Sequence, residues 1–294
     1  GRLERIDVLP PGRVEQLLER LLAPLGRRVD RSSPIVDARL PDGARICAVL
    51  PPVAVDGAAL AVRRFADHRR RLEEFTGGDG VELLDTVIAS RCNVVVSGAT
   101  SSGKTSLVGA LLQRLPPGER VVVVEDTAEL PVDRAAHNVR LEARPPSVDG
   151  PPPIEPAALV RTALRLRPDR IVVGEVRGDE VLALVQAMNT GHDGSLSTVH
   201  ANGPLDALMR LESLVLQAAP TWPLAAIRQQ LGRSIDVIVH VGRAADDATS
   251  ARRVVSIDEV SEPADDAALP STRPLTKWGD GGLSVVGPLR RRRR

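Results

Sequence analysis

The stretch Cys92–Ser106 constrains the fold of this chain more than any other part, and it reads CNVVVSGATSSGKTS. Its three consecutive valines, Val94–Val96, form a short β-branched run of the kind found in buried strands. The next residues, Gly98–Thr105, match the pattern G-x-x-x-x-G-K-S/T, and Lys104–Leu115 is predicted to form a helix. A strand, a glycine-rich loop and a helix in this order predict backbone N–H groups that face one anion at the positive end of the helix dipole.

The residue types of this loop suit the phosphates of a nucleotide. Gly98 and Gly103 permit close approach of the backbone. Lys104 is predicted to reach the β- and γ-phosphates, and the Thr105 hydroxyl to bind Mg²⁺. Of the 39 Lys and Arg residues only two are lysine, so a compact charge stands here where the chain elsewhere uses arginine. The predicted nucleotide contacts are Gly98, Ala99, Thr100, Ser101, Ser102, Gly103, Lys104, Thr105 and Ser106.

Around the loop, short apolar runs alternate with helical patterns. This alternation predicts an α/β domain over residues 76–260, with a mostly parallel sheet covered by helices on both faces. The predicted strands are Asn93–Ser97, Arg120–Glu125, Asn138–Glu142, Arg170–Gly174, Ser195–His200 and Val237–Val241, with Arg252–Val260 as a further candidate. The predicted helices are Lys104–Leu115, Glu155–Leu166, Glu180–Asn189, Pro204–Gln217 and Pro223–Leu231.

The two ends of the chain differ from this central domain. Residues 1–75 predict a small α+β domain, with a helix over Arg13–Leu25, a hairpin formed by Ile35–Leu40 and Arg45–Leu50, and a strand over Ala59–Phe65. Residues 261–294 are rich in Pro, Asp, Ala and Gly, so a loosely ordered tail is predicted there.

Composition excludes some classes of partner. The net charge is +1 and the aromatic residues are two Phe and two Trp, so the chain offers neither a basic field nor stacking platforms for nucleic acid. Cys47 and Cys92 have no metal-ligand spacing and are expected to be buried, inert thiols. No apolar run reaches the roughly 18 residues needed to span a bilayer. We therefore expect a cytoplasmic protein without direct nucleic-acid contact.

Acidic residues follow two of the predicted strands. Glu125–Glu129 comes after Val121–Val124, and Glu175 comes after Ile171–Val173. Ligands of open α/β sheets bind at the carboxyl ends of the strands, where such carboxylates could polarise a water molecule or hold Mg²⁺ through water. A solvated loop residue is the alternative for either one taken alone. The Asp that usually ends the second strand in nucleotide hydrolases is absent, which leaves Glu175.

A third polar stretch, Gly191–Gly203, places Thr198 and His200 near the end of another predicted strand. Both side chains could contact a γ-phosphate or respond to its loss. A single histidine is more often structural, so the whole stretch carries more weight than His200 alone.

Together the loop and three further motifs, EDTAEL at Glu125–Leu130, RPDRIVVGEVRG at Arg167–Gly178 and MNTGHDGSLSTVHANG at Met188–Gly203, resemble the signature boxes of the type II/type IV secretion ATPase superfamily. The sequence most resembles the Tad-pilus, CpaF-like branch, over Ile35–Val260. In such proteins the second-strand box typically carries Glu without the preceding Asp. The resemblance implies a homo-hexameric ring of two-domain subunits, with ATP between the amino-terminal domain and a RecA-like P-loop NTPase domain.

The resemblance also implies roles for single residues. Glu175 would be the catalytic carboxylate, Glu129 would support it, and His200 would couple phosphate state to conformation. The implied cofactors are ATP and Mg²⁺, with the metal near Thr105, Glu129 and Glu175. Arginines completing the site are expected from two regions, and the candidates are Arg45, Arg63, Arg64, Arg140 and Arg144. In a chain so rich in arginine, each of these could equally be a solvated charge.

The resulting hypothesis is an ATP-hydrolysing motor, peripheral at the cytoplasmic face of the inner membrane, that acts on a membrane-embedded platform protein in pilus assembly or protein secretion. A conjugation-type or other nucleic-acid motor is one alternative, which titration with labelled DNA at two salt concentrations distinguishes. A nucleotide-gated scaffold without hydrolysis is another. The terminal run Arg290–Arg294 is a candidate for weak contact with anionic lipid, and a solvated tail is the alternative.

Overall fold

The computed structural model describes residues 10, 12–64, 70–132, 137–146, 151–243, 251–265, 268–279 and 282–291. The chain divides into two units, Gly1–His68 and Arg69–Arg294.

The amino-terminal unit is a three-stranded antiparallel sheet with one helix. Helix α1 presents Leu18 and Leu22 to a small core that includes Val36, Ile46 and Ala48. The strands pair in the order β1-β2-β3, and β1 and β2 form the predicted hairpin. The elements are α1 (Arg13–Leu22), a short 3₁₀ turn (Ala23–Leu25), β1 (Ile35–Arg39), β2 (Arg45–Val49) and β3 (Ala59–Arg63).

Strand β2 corrects the expectation for one cysteine. Ile46 and Ala48 face the core, so the alternation of side chains along a strand turns Cys47 to the opposite face, where it is exposed. Cys92 is buried as expected, and neither of the two thiols forms a disulfide. The apolar neighbours of Cys47 predict a buried thiol, whereas helix α1 covers only the face that carries Ile46 and Ala48.

The larger unit is built on an eight-stranded sheet in the order β11-β10-β9-β4-β8-β7-β5-β6. From β9 to β6 all neighbouring strands are parallel, and the β9–β10 and β10–β11 pairs at the other end of the order are antiparallel. The predicted α/β class with a mostly parallel sheet is confirmed. The strands are β4 (Val94–Gly98), β5 (Val121–Glu125), β6 (Asn138–Glu142), β7 (Arg170–Val173), β8 (Leu196–His200), β9 (Val237–Arg243), β10 (Arg252–Ser261) and β11 (Ser271–Pro274).

Helices cover both faces of this sheet, which explains why its central strands are apolar without alternation. One core packs α2 and α3 against the face that carries Val94 and Val96, and it includes Leu72 and Phe75 from the segment before α2. The other core packs α4 to α7 against the face that carries Val95. The helices are α2 (Gly78–Ala89), α3 (Lys104–Leu112), α4 (Pro156–Ala163), α5 (Glu180–Asn189), α6 (Pro204–Ala218) and α7 (Leu224–Ser234), and short 3₁₀ turns cover Leu72–Glu74 and Leu164–Leu166.

Asn93 fixes β4 at the amino edge of the sheet. This side chain is wholly buried. Its Nδ2 donates to the carbonyl oxygens of Met188 at 3.2 Å and Ser234 at 2.7 Å, and its Oδ1 accepts from the backbone N–H groups of Gly194 at 2.9 Å and Ser195 at 3.0 Å. Because this buried amide makes all four of these hydrogen bonds, it fixes the position of β4 relative to its neighbours.

The segment after β10 differs from the loosely ordered tail that composition predicts. Strand β11 extends the sheet, and β12 (Thr276–Gly279) and β13 (Gly282–Val285) form a hairpin. Leu275 is fully buried and Leu289 is 6% exposed. Two leucines and an edge strand anchor the segment. Its composition did not predict this order, because Pro, Asp and Gly are frequent in it.

Arg291 holds the far end of this segment against the sheet. Its Nε lies 2.6 Å from Oδ1 of Asp236, a wholly buried carboxylate, and its Nη2 donates to the carbonyl oxygen of Arg233 at 2.7 Å. The backbone N–H of Arg291 donates to Oε1 of Glu259 at 2.6 Å. This residue therefore makes protein contacts and is not the free lipid-binding charge that the terminal arginine run suggests.

Two further observations bear on the predicted contact with a membrane. Residues 292–294 of the basic run lie outside the described residues. Among the helices that the structure describes, none has the length and apolar content to cross a membrane.

We expect the substitution Arg291→Ala to lower the free energy of unfolding by about 3 kcal/mol, because Asp236 would keep a buried charge without its partner. Urea denaturation followed by circular dichroism measures the effect. The matched control is Arg290→Ala, which removes a neighbouring exposed side chain and should change stability by less than about 0.5 kcal/mol. Equal losses in the two variants would contradict the structural role of the Arg291–Asp236 pair.

Candidate nucleotide-binding site

The glycine-rich loop lies at the carboxyl edge of the parallel sheet. It leaves β4 at Gly98 and enters α3 at Lys104. In the parallel ladder Gly98 pairs with His200, the last residue of β8, and Val173 at the end of β7 pairs with Ser197 of β8. The pairing therefore brings the predicted loop and the ends of two other strands to one edge.

Two glycines of the loop are required for physical reasons. A Cβ on Gly98 would lie 2.4 Å from the carbonyl oxygen of Val241 and 2.5 Å from Oγ of Ser102, both within forbidden contact. Gly103 has φ of 103°, a conformation that other residues rarely adopt. The loop can therefore pass close to β9 and turn into α3 only with glycine at these positions.

Lys104 is folded over the loop. Its Nζ donates to the carbonyl oxygens of Gly98 at 3.0 Å and Ala99 at 2.9 Å, and the residue is 7% exposed. Burial lowers the pKa of this ammonium, and the nearby Glu175 carboxylate acts in the opposite direction. The single lysine at the loop is thus held as a concentrated charge beside the backbone groups that would surround a phosphate.

His200 joins Lys104 to Glu175. Nζ of Lys104 lies 3.3 Å from Nδ1 of His200, and Nε2 of His200 lies 2.6 Å from Oε1 of Glu175. An ammonium can only donate and a carboxylate only accept, so this row fits the neutral histidine with its proton on Nε2. The side chains of His200 and Glu175 are 43% and 29% exposed. They can therefore be reached by water or a ligand.

Glu125 is the buried carboxylate at the end of β5. The family resemblance instead assigns the supporting role to Glu129. Oε1 of Glu125 accepts from the backbone N–H groups of Glu129 at 3.0 Å and Leu130 at 2.9 Å, and Arg140 lies 3.8 Å from its Oε2. Burial raises the pKa of Glu125 despite these partners. Glu125 therefore shapes the loop that carries Glu129. A charged residue directly after four valines was the signal for it.

The sequence suggested that the Thr198 side chain could contact a γ-phosphate, but in the structure its hydroxyl is already bonded. Its hydroxyl donates to the carbonyl oxygen of Gly174 at 2.8 Å, and the residue is 2% exposed. The bond ties β8 to the end of β7, so it positions Glu175 and leaves no hydroxyl for a phosphate. Arg177 forms an ion pair with Asp126 and links the loops after β7 and β5 in the same way.

The five candidate arginines lie in different settings. Arg140 approaches Glu125, as described above. Arg144 donates from Nε to the carbonyl oxygen of Pro152 at 2.8 Å, next to an isolated bridge with Ile154. In the amino-terminal unit, Arg45 and Arg63 lie directly opposite each other on β2 and β3, and the exposed Arg64 follows.

Two further side chains near the loop escaped the sequence analysis. His240 of β9 contacts Oγ of Ser97 through Nδ1 at 2.9 Å, next to the first glycine of the loop. Burial lowers the pKa of His240. Arg252 of β10 lies against Gly103, with its Cδ 2.9 Å from the place where a Cβ would be. Both residues lie within predicted strands, and only the register between strands reveals what they face.

The donor set fits a magnesium ion that is held together with phosphates. No group of three or more His, Cys, Asp or Glu that could hold a metal is found among the residues that the structure describes. Mg²⁺ in nucleotide sites typically takes one or two protein oxygens and completes its shell with phosphate and water. Thr105 in the first turn of α3 and Glu175 at the same sheet edge supply oxygen donors of that kind, with Glu129 in the neighbouring loop.

Comparison with known proteins shows the family of the chain. The family model for the type II/IV secretion system protein matches residues 2–271. The chain belongs to this family. A protein of Mycobacterium tuberculosis that is provisionally named a conjugal transfer protein is 39% identical over 87% of this chain and 74% of its own length. The type IV secretion system protein PtlH of Bordetella pertussis is 32% identical, over 76% of this chain and 74% of its own.

Solved structures of the family share the fold. The VirB11 ATPase of the Brucella suis type IV secretion system matches 83% of this chain and 79% of its own, with a TM-score of 0.55 and 28% identity. The Yersinia pseudotuberculosis ATPase DotB matches 88% and 70%, with a TM-score of 0.62 and 19% identity. Both structures agree with the predicted α/β architecture. At 19% identity, the likeness to DotB supports the fold and nothing about function.

We expect Gly98→Ala to lower the free energy of unfolding by about 1–3 kcal/mol, because the added methyl group would overlap the Val241 carbonyl and Ser102. The measurement is urea denaturation. Gly77→Ala is the matched control, since Gly77 has φ of −76° and a Cβ there would meet nothing within 4 Å. An effect no larger than that of the control would show that the loop is not packed against β9 as described.

Proposed function

We propose that this chain is a Mg²⁺-dependent ATPase that converts ATP and water to ADP and phosphate to drive a secretion machine. The observation that carries the proposal is the row of Lys104, His200 and Glu175 at the mouth of the glycine-rich loop. A phosphate-binding loop alone serves many nucleotide-binding proteins. A carboxylate connected to the loop lysine through His200 is what hydrolysis needs in addition.

The residues of the row divide the chemistry between them. The loop N–H groups and Lys104 bind and neutralise the β- and γ-phosphates, and Thr105 directs its hydroxyl to the metal. When bound, Mg²⁺ would neutralise the charge that develops on the phosphate oxygens. Glu175 orients the attacking water and accepts its proton. His200 bridges Lys104 and Glu175, so its contacts change when a phosphate takes the lysine, and Glu129 supports the carboxylate side.

Arginines are proposed to complete the site during closure. Arg45, Arg63 and Arg64 would come from the amino-terminal unit, and Arg140 and Arg144 from the larger one. An arginine that stabilises the transferred phosphoryl group contributes several orders of magnitude in rate. We propose that closure of the two units around ATP brings these charges in, as domain closure around a ligand does in other proteins.

The machine is proposed to be a homo-hexameric ring on the cytoplasmic face of the inner membrane, docked on a membrane-embedded platform protein. The names of the curated relatives support a type IV secretion or conjugal-transfer apparatus over a Tad pilus. Assignment to the Tad, CpaF-like branch stays a prediction of the sequence. The net charge of +1 still argues against direct contact with DNA, even in an apparatus that transfers it.

Two substitutions test hydrolysis. Lys104→Ala should abolish ATP binding and turnover, because the charge that pairs with the phosphates is removed. Glu175→Gln should retain ATP binding and lose turnover by a factor of about 100 or more, because the amide cannot accept the proton. Phosphate release with Mg²⁺ measures turnover, and a fluorescent ATP analogue measures binding.

The matched control is Glu82→Gln, the same substitution at an exposed position of α2, which should leave turnover unchanged. A wild-type protein that binds ATP without any phosphate release, even with membrane partner present, would favour the nucleotide-gated scaffold. Glu175→Gln with unchanged turnover would remove Glu175 from the mechanism.

Oligomeric state is tested by mass in solution. We expect multi-angle light scattering of the 31.4 kDa chain with a non-hydrolysable ATP analogue and Mg²⁺ to report about six chains per particle. Lys104→Ala should show no nucleotide-dependent shift in mass. A monomer under all conditions would contradict ring formation by this chain.

A further inference from the structure

We propose that Arg252, with Arg243 and Arg70 beside it, binds the α-phosphate of the nucleotide on the side of the loop opposite Glu175. The proposal rests on the proposed ATPase function and adds the orientation in which the nucleotide lies on the loop. The three residues are called the β10 arginine cluster below.

The cluster is built around the second glycine of the loop. The aliphatic stem of Arg252 lies against Gly103, with Cβ, Cγ and Cδ within 2.9 to 3.6 Å of the place where a Cβ would be. Arg243 pairs directly with Arg252 across β9 and β10. Arg70 lies 6.0 Å from the ring of Phe75, whose carbonyl accepts the backbone N–H of Val254 on β10. All three belong to the larger unit.

Charge makes this cluster a site for an anion. No acidic side chain pairs with Arg252, Arg243 or Arg70 within the described part of the chain. Burial lowers the pKa of Arg252, and repulsion from Arg70 and Arg243 lowers it further. Like charges held together, of which Arg252 and Arg70 are partly removed from water, gain most from a negative group placed among them.

The order of the strands indicates which phosphate of the nucleotide the β10 arginine cluster would bind. β4 carries the loop, with β8 and then β7 on one side and β9 and then β10 on the other. His200 ends β8 and Glu175 follows β7, so the terminal phosphate that is cleaved lies on that side. A triphosphate that crosses the loop with its γ-phosphate toward Glu175 directs its α-phosphate toward β9 and β10. The α-phosphate is the charge at that end of the nucleotide, and Arg252 is the cation that touches the loop there.

Binding of ADP and of inorganic pyrophosphate, measured by calorimetry with Mg²⁺, tests the assignment. Arg252→Gln should weaken ADP about tenfold or more, since a hydrogen bond to a charged group of roughly 1.5–3 kcal/mol is lost. Pyrophosphate has no α-phosphate and should be weakened less than about threefold. Arg252→Lys should restore part of the affinity for ADP, because it keeps the charge and loses the planar fork.

Arg161→Gln, on the exposed face of α4, is the matched control and should leave both affinities unchanged. Arg243→Gln, at the end of β9, is a second variant that should weaken ADP in the same sense if Arg252→Gln fails to fold. Equal loss for ADP and pyrophosphate, or no loss for either, would overturn the α-phosphate assignment while leaving the ATPase proposal in place. Failure of the wild-type protein to bind ADP would instead refute the proposed function together with this inference.

Discussion

The parallel pairing of β4 with β8 on one side and β9 on the other is the constraint on which the rest of the structure depends. It sets Gly98 opposite His200 and Ser97 opposite His240. Parallel strands end at the same edge, so polar residues that lie about 100 positions apart in the chain are brought together. Lys104, the first residue of α3, is then joined through His200 to Glu175, the carboxylate that follows β7. The chemistry of the site is thus a property of strand register more than of any single loop.

The amino edge of the sheet is held by buried polar contacts. Asn93 fixes the amino end of β4, and Arg291 pairs with Asp236 where β9 begins. Buried polar groups with all their partners in place specify one register, because a shifted register would leave them unsatisfied. The loop after β4 therefore starts from a strand whose position is fixed along its length. A phosphate-binding loop on such a strand needs little reorganisation when its ligand arrives.

Apolar periodicity and the glycine motif predicted the sheet, most helices and the edge at which the site lies, because these features depend on local sequence. The functions of Thr198 and Glu125 could not be predicted in the same way. The Thr198 hydroxyl is bonded to Gly174 of the adjacent strand, and the carboxylate of Glu125 is engaged by the loop after it. The anchoring contacts of Leu275 and Arg291 could not be predicted for another reason. The average composition of a polar segment does not reveal two or three side chains that anchor it.

The exposed thiol of Cys47 has a practical consequence. The chain contains two cysteines, and Cys92 is buried, so a thiol-reactive probe is directed to a single place on the amino-terminal unit. Partial burial and the neighbouring Asp37 both raise the pKa of the Cys47 thiol, so the reactive thiolate is scarce at neutral pH and alkylation proceeds best in mildly alkaline buffer. One spin or fluorescent label attached there would report movements of that unit in the unmutated chain.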